Sequence, residues 1–202
     1  HWKSFDVENN IWFYLRLSET IEIIDTSDIK MAETIIKSIV EIKKMNKTID
    51  FIGFLFETKL QFPQNWGLGS SSTLISLLAQ FANINPYELL EKTFGGSGYD
   101  IACATAKSAV IYQIVDRQPS TVDRRLLTVN YHPSFSNHLY FVHLNQKQNS
   151  REGIQHYKNL MINKTDLIEQ ISELTNKILN VIELDEFCYY LEVHEKIGRA
   201  HV

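Results

Sequence analysis

Two short glycine turns hold the residues whose types and spacing could do chemistry. The first runs Pro63-Gln64-Asn65-Trp66-Gly67-Leu68-Gly69-Ser70-Ser71-Ser72-Thr73, between a strand-like stretch and a strongly apolar helix-like one. Glycines let a backbone approach a polyphosphate closely and present consecutive N–H donors. The first turn of the helix behind them adds unpaired donors and a partial positive charge. Ser70, Ser71 and Ser72 can cap that helix or turn their hydroxyls to phosphate oxygens or to a phosphate-bound Mg²⁺. No Gly-Lys-Ser/Thr follows the glycines, which excludes a Walker loop. Taken alone, Gly67 and Gly69 read more simply as a turn ahead of a serine cap.

The second turn, Gly95-Gly96-Ser97-Gly98-Tyr99-Asp100-Ile101-Ala102-Cys103-Ala104, also opens a helix. Phosphoryl transfer requires an oriented acceptor, neutralised charge on the moving group and often a proton acceptor. Asp100 can orient the acceptor or take its proton if the carboxylate faces the cleft. Its plainer role is to stabilise the first turn of its own helix.

Several elements must position these turns. Ile11-Trp12-Phe13-Tyr14-Leu15-Arg16-Leu17 and Thr20-Ile21-Glu22-Ile23-Ile24 read as two strands of a hairpin. Residues 28–45 carry a helical stripe of Ile29, Ala32, Ile35, Ile36, Ile39 and Ile42, with Ser27 or Asp28 as cap. Strand character returns over 49–62, and 70–82 forms the apolar helix behind the first turn. Asn85-Pro86-Tyr87-Glu88 is a helix start, with Asn85 as cap and Pro86 in the first turn. That helix runs to about Thr93, and a further short one begins at Tyr99-Asp100. Strands follow at 109–114, 126–130 and 139–144, then helices from Ser150 onward, broken near Asn163 and Leu184. The expected organisation is an N-terminal α+β domain over 1–147 and the start of a second domain over 148–202, with the boundary within 145–150.

Composition agrees with a globular chain. The 202 residues are 44% hydrophobic and 22% charged, enough to bury a core. A net charge of -4 argues against a nucleic-acid partner. No apolar run approaches the roughly eighteen residues a membrane helix needs. Cys103 and Cys188 have neither metal nor redox spacing, and a cytoplasmic location is the simpler expectation. There is no signal-peptide pattern. His132, His138 and His143 are too irregularly placed for a zinc helix. Tyr131-His132-Pro133 reads as a turn, and Lys147, Ser150 and Arg151 as a surface loop near the boundary. Trp66 could wall a nucleotide pocket or pack as an ordinary aromatic. One encoding of Ile197-Gly198-Arg199-Ala200-His201-Val202 matches a common sequencing adapter, so that hexapeptide is given no functional weight.

The stretch from Pro63 to Ser71 resembles the Pro-x-x-x-Gly-Leu-Gly-Ser-Ser signature of the GHMP kinases, named for galactose, homoserine, mevalonate and phosphomevalonate members. Ser97-Gly98-Tyr99-Asp100 is similar to the Ser-Gly-x-Asp segment in which mevalonate kinases carry their catalytic base. Asp100-Ile101-Ala102 matches the Asp-x-Ala ending of a phosphomevalonate kinase segment. Gly98-Tyr99-Asp100-Ile101-Ala102 reproduces the marker of a bacterial branch. The likeness covers about 51–150. It implies a two-domain α+β fold with a mixed sheet in the N-terminal, ATP-binding domain and the start of a ferredoxin-like C-terminal domain, truncated at both ends. The family's first strand would precede His1, and its C-terminal glycine motif would follow Val202.

By the same resemblance the activity is ATP-dependent phosphoryl transfer, with Mg²⁺, to mevalonate or phosphomevalonate in isoprenoid precursor synthesis. Trp66, Gly67, Leu68, Gly69, Ser70, Ser71 and Ser72 would hold the triphosphate, with Ser71 on the metal. Asp100 would be the catalytic residue, and Ser97, Gly98 and Tyr99 would face the acceptor. The family's Mg²⁺-holding glutamate falls here on Leu89, with Glu88 or Glu91 as substitutes. A homodimer is allowed. The alternatives are a catalytically silent nucleotide-binding module on the same scaffold and a diphosphomevalonate decarboxylase-like enzyme.

Overall fold

The computed structural model describes residues 1–117, 122–144, 155, 159 and 164–199. They form two compact units, His1–Leu127 and a second that starts with Thr128–Leu144 and takes in the described residues from 155 onward. The fold is mixed α+β, and the sheet of the first unit is itself mixed.

In the first unit, β1 (Trp2–Phe5), β2 (Ile11–Leu17), β3 (Ile23–Thr26) and β4 (Phe56–Lys59) lie in the order β3-β2-β1-β4. Both β1–β2 and β2–β3 are antiparallel, whereas β1–β4 is parallel, with Trp2 opposite Phe56 and Ser4 opposite Thr58. A parallel neighbour requires a crossover, and α1 (Ile29–Met45) supplies it. Strand alternation places Trp2, Ser4, Phe13 and Leu15 on one buried face. Against them pack Ala32, Ile35, Ile39 and Ile42 of α1 and Ile75, Leu78, Ala79 and Ala82 of α2 (Ser70–Ala82).

Local chemistry sets the helix limits. The Asp28 carboxylate accepts from the Met31 N–H at 3.0 Å, so Asp28 rather than Ser27 is the cap of α1. Asn85 accepts from the N–H groups of Tyr87 and Glu88 to start α3 (Pro86–Thr93). Lys37 of α1 donates to the Thr93 carbonyl at 2.9 Å, placing a cation at the C-terminal end of α3. Asn46 donates to the Ala82 carbonyl at 2.8 Å and ties the ends of α1 and α2 together. The short α4 (Tyr99–Thr105) leads into β5 (Ala109–Arg117), which pairs with β6 (Val122–Val129).

Two expected strands differ. Over 49–62 only Phe56–Lys59 is extended, because the Asp50 carboxylate accepts from the N–H groups of Phe51 and Ile52 and Gly53 turns at φ +78°. Residues 139–144 form no strand, since no neighbouring strand pairs with them among the described residues; Tyr140, Phe141, Val142 and Leu144 are exposed. The hairpin partner of β2 starts at Ile23, after a turn with Ile21 at φ +66°.

In the second unit, α5 (Lys164–Asn180) and α6 (Leu184–Arg199) are separated by a break just before Leu184, as the sequence suggests. Phe135, Val181 and Phe187 form its small core, with the two phenyl rings 4.9 Å apart. Ser134 and Tyr131 donate to the carbonyls of Ile182 and Ile178 respectively, pinning the 131–135 turn to the end of α5. The expected boundary at 145–150, the candidates Lys147, Ser150 and Arg151, the break at Asn163 and the last three residues of the chain lie outside the described residues. No described helix is long and apolar enough to cross a membrane.

Candidate functional site

The first glycine turn begins where Pro63 starts a 3-10 turn over Gln64–Trp66, with the Trp66 N–H donating to the Pro63 carbonyl at 3.1 Å. Gly67 and Gly69 both sit at φ +72°, the left-handed region that side chains resist. Gly69 is the N-cap of α2 and, having no side chain, leaves the first-turn donors open. The first helical bond runs from the Thr73 N–H to the Gly69 carbonyl at 3.0 Å. The N–H groups of Ser70, Ser71 and Ser72 meet no acceptor among the described residues. Ser71 is exposed, and Trp66 and Leu68, 50% and 55% exposed, flank the turn. The core is therefore not where Trp66 packs. The result is a patch of aimed donors with apolar shoulders.

The second turn is held differently. Gly98, buried, adopts φ +85° as the N-cap of α4. A Cβ there would lie 2.9 Å from Tyr112 Oη and 3.0 Å from Tyr87 Cδ1. Tyr112 of β5 donates its hydroxyl to the Ser97 carbonyl and accepts from Arg124 Nε at 3.1 Å. Arg124 of β6 donates its Nη2 to the Glu91 carboxylate and lies over the Tyr87 ring, 4.8 Å from its centroid. Ser97 Oγ accepts from the Tyr99 N–H at 3.2 Å. An ion pair, a cation–π contact and a phenol thus lock the turn to α3, β5 and β6.

Electrostatics follow from this packing. Burial works against the Arg124 guanidinium, but its bonds to Glu91 and Tyr112 outweigh that and hold its pKa above the ordinary value. Burial, helped by the neighbouring Tyr112, raises the Tyr87 phenol. The Tyr99 phenol is raised first by its hydrogen bond with Cys103, then by burial, by the charge of Cys103 and by Asp100. Tyr99 and Tyr112 also meet edge to face, with centroids 6.0 Å apart.

The two turns meet. The Asp100 carboxyl carbon lies 3.7 Å, and its Oδ2 3.8 Å, from where a Cβ on Gly69 would stand. An exposed carboxylate thus sits beside the open head of α2. On another side of that head, Ser70 and Ser71 line a cavity of about 480 Å³, together with Trp12, Phe62, Leu74 and Phe94. Asp100 is not part of its wall. The structure therefore brings Gly69 and Asp100 into contact, leaves Trp66 and Leu68 about half exposed, holds Ser97 by its bonds to Tyr112 and Tyr99, and makes Gly98 the buried cap of α4.

Four side chains in this region escaped sequence reasoning as partners: Tyr87, Tyr112, Arg124 and Glu91. Glu91, read as a substitute metal ligand, is instead engaged by Arg124, and the position beside it in that reading, Leu89, is fully buried. Glu88 is exposed in the first turn of α3. Alternation on β5 could have flagged Tyr112, but nothing in Arg124-Arg125 tells which arginine turns inward. Among the described residues no three His, Cys, Asp or Glu side chains converge as a metal site. Searches against protein-family models, curated proteins and solved structures found no match for the chain.

Proposed function

We propose that the chain holds the triphosphate-binding and acceptor-activating part of an ATP-dependent small-molecule kinase of GHMP type. The observation that carries this reading is the contact between the Asp100 carboxylate and Gly69 at the uncapped head of α2. Three free N–H groups, two left-handed glycines and a helix dipole make that head a receptor for anionic oxygens. The carboxylate beside it is repelled by phosphate and is therefore no phosphate ligand. It suits a group that accepts the acceptor's proton or orients its hydroxyl.

The residues also suit Mg²⁺, which takes one or two protein oxygens and fills its shell from phosphates and water. The exposed Ser71 hydroxyl would be its protein ligand. When bound, the metal neutralises charge on the transferred group. The chain's own share is positioning. The backbone of 66–72 fixes the phosphates, Trp66 and Leu68 shield one flank, and the braced 95–99 turn aims Asp100. A small alcohol or phosphate ester is the acceptor, with mevalonate and phosphomevalonate the two to test first, and isoprenoid precursor synthesis the process served.

ATP binding is measured by calorimetry and turnover by a coupled ADP assay with each acceptor. Asp100→Asn is expected to cut turnover by about a hundredfold or more while ATP affinity stays unchanged. Absence of ATP binding overturns the kinase reading. Binding without turnover on any acceptor favours the silent nucleotide-binding module, and CO₂ release from diphosphomevalonate favours the decarboxylase.

A further inference from the structure

We infer that β4 is a dimerisation edge, on which a second copy of the chain pairs antiparallel about a two-fold axis at Thr58. β4 ends the sheet order β3-β2-β1-β4. The N–H groups of Phe56 and Leu60 donate to the His1 and Phe5 carbonyls, each at 2.9 Å, so these residues turn their backbone toward β1. With a period of two, Thr58 does likewise, and Glu57 and Lys59 turn their N–H and C=O groups to the free edge. No strand pairs with that side among the described residues.

The edge is complementary to itself. Antiparallel pairing centred on Thr58 sets Glu57 opposite Lys59 of the second copy, and Lys59 opposite its Glu57. Those two pairs are the hydrogen-bonded kind, making four backbone bonds, with Thr58 facing Thr58 between them. Both charged side chains are exposed and lie on the face away from the buried Trp2–Ser4 side, where they can form two opposite-charge cross-strand pairs, although Lys59 also lies near enough to Asp6 for its charge to help lower that carboxyl's pKa. A parallel pairing at equal register would instead set like charges side by side. Charges often protect an edge from pairing, but this alternation of sign is complementary to its own antiparallel copy while it opposes a parallel copy in equal register.

Four residues are too few for a stable interface, which covers about 800 Å² per partner. The neighbouring surface supplies the rest. Phe54, Leu55, Leu77 and Phe81 are 46%, 53%, 52% and 43% exposed. The Phe81 ring lies 5.2 Å from the Phe56 ring of β4 and 5.7 Å from that of Phe54. This apolar cluster borders the strand on its helix-covered side, where a two-fold axis brings it against its own copy. Contiguous exposed apolar surface of this kind marks an interaction site.

The test is sedimentation velocity of the full chain over a wide concentration range, with circular dichroism to verify folding. The wild-type chain is expected to dimerise. Glu57→Lys alone and Lys59→Glu alone each place like charges across the axis and weaken the dimer about tenfold or more. An equimolar mixture of the two variants is expected to recover wild-type affinity, since each lysine then faces a glutamate. A wild-type chain that stays monomeric throughout overturns the inference. So does a dimer indifferent to either substitution, or folded variants whose mixture fails to recover.

Discussion

The two glycine turns use the same left-handed backbone to opposite ends. At 67–69 the turn is open on one side: a Cβ on Gly67 would meet nothing within 4 Å, one on Gly69 would meet Asp100 at 3.7 Å, and the serine N–H groups behind it have no acceptor among the described residues. At 97–98 the chain is clamped, with Gly98 walled by Tyr112 and Tyr87 and the Ser97 carbonyl held by a phenol that Arg124 fixes in turn, whereas a Cβ on Gly95 or Gly96 would meet nothing within 4 Å. One turn is shaped to receive and the other to hold. Phosphate oxygens can be bound by any well-aimed set of donors, so on the proposed kinase reading the first turn would require openness. On the proposed kinase reading the Asp100 carboxylate must reach one proton, which tolerates little error in position, so the second turn would require rigid support. Asp100, on the first turn of α4, is aimed by that support.

The sharpest way to break this contrast is Gly98→Ala. The new Cβ meets two aromatic side chains near 3 Å in a backbone conformation that alanine resists. Overpacking and left-handed strain together are expected to cost about 3 kcal/mol, measured by urea unfolding. A loss as small as that of an exposed turn glycine would mean the clamp yields freely. Next comes Arg124→Met, which keeps the stem and removes the guanidinium. It leaves the Glu91 carboxylate and the Tyr112 hydroxyl each short of a partner. The guanidinium is mostly buried and Glu91 about one-third exposed, so solvent screens part of the pair, and about 2 kcal/mol is expected. On the proposed kinase reading, in which the second turn aims the carboxylate and the first holds the nucleotide, turnover should fall further than ATP affinity. Equal loss in both would merge the two roles.

The sequence shows this division only in part. Helix limits were legible because caps are local: Asp28, Asn85 and Pro86 announce themselves within a few residues. Both turns were legible for the same reason, since glycines followed by serine or Asp100 mark them. The clamp was not. Glu91 and Arg124 are far apart in the chain and come together only because β6 folds back along β5 beside α3. Strand content was overread at 49–62 and 139–144, where apolar and β-branched composition is high. Composition indicates what suits a strand, but a strand exists only where another chain segment pairs with it. At 50–53 a side-chain carboxylate takes two backbone N–H groups instead, and a left-handed glycine turns the chain. The contact of Asp100 with Gly69 is likewise tertiary: each turn could be read alone, but their distance could not.

The smallest expected effect on stability is also the most discriminating. Gly67→Ala faces a left-handed cost of about 1 kcal/mol or slightly more, partly offset by the lower entropy of the unfolded alanine chain. With nothing in the protein within 4 Å of the new methyl group, no clash adds to it, so the net loss should stay near 1 kcal/mol or below. The methyl group nevertheless adds bulk to the open turn that the proposed kinase reading assigns to the phosphates. ATP affinity should therefore drop by about tenfold, a larger change than the stability loss alone would suggest, and calorimetry on the folded variant reads it directly. Unchanged ATP affinity would mean that the open side of Gly67 faces only solvent, and the receiving role assigned to the first turn would pass to other residues.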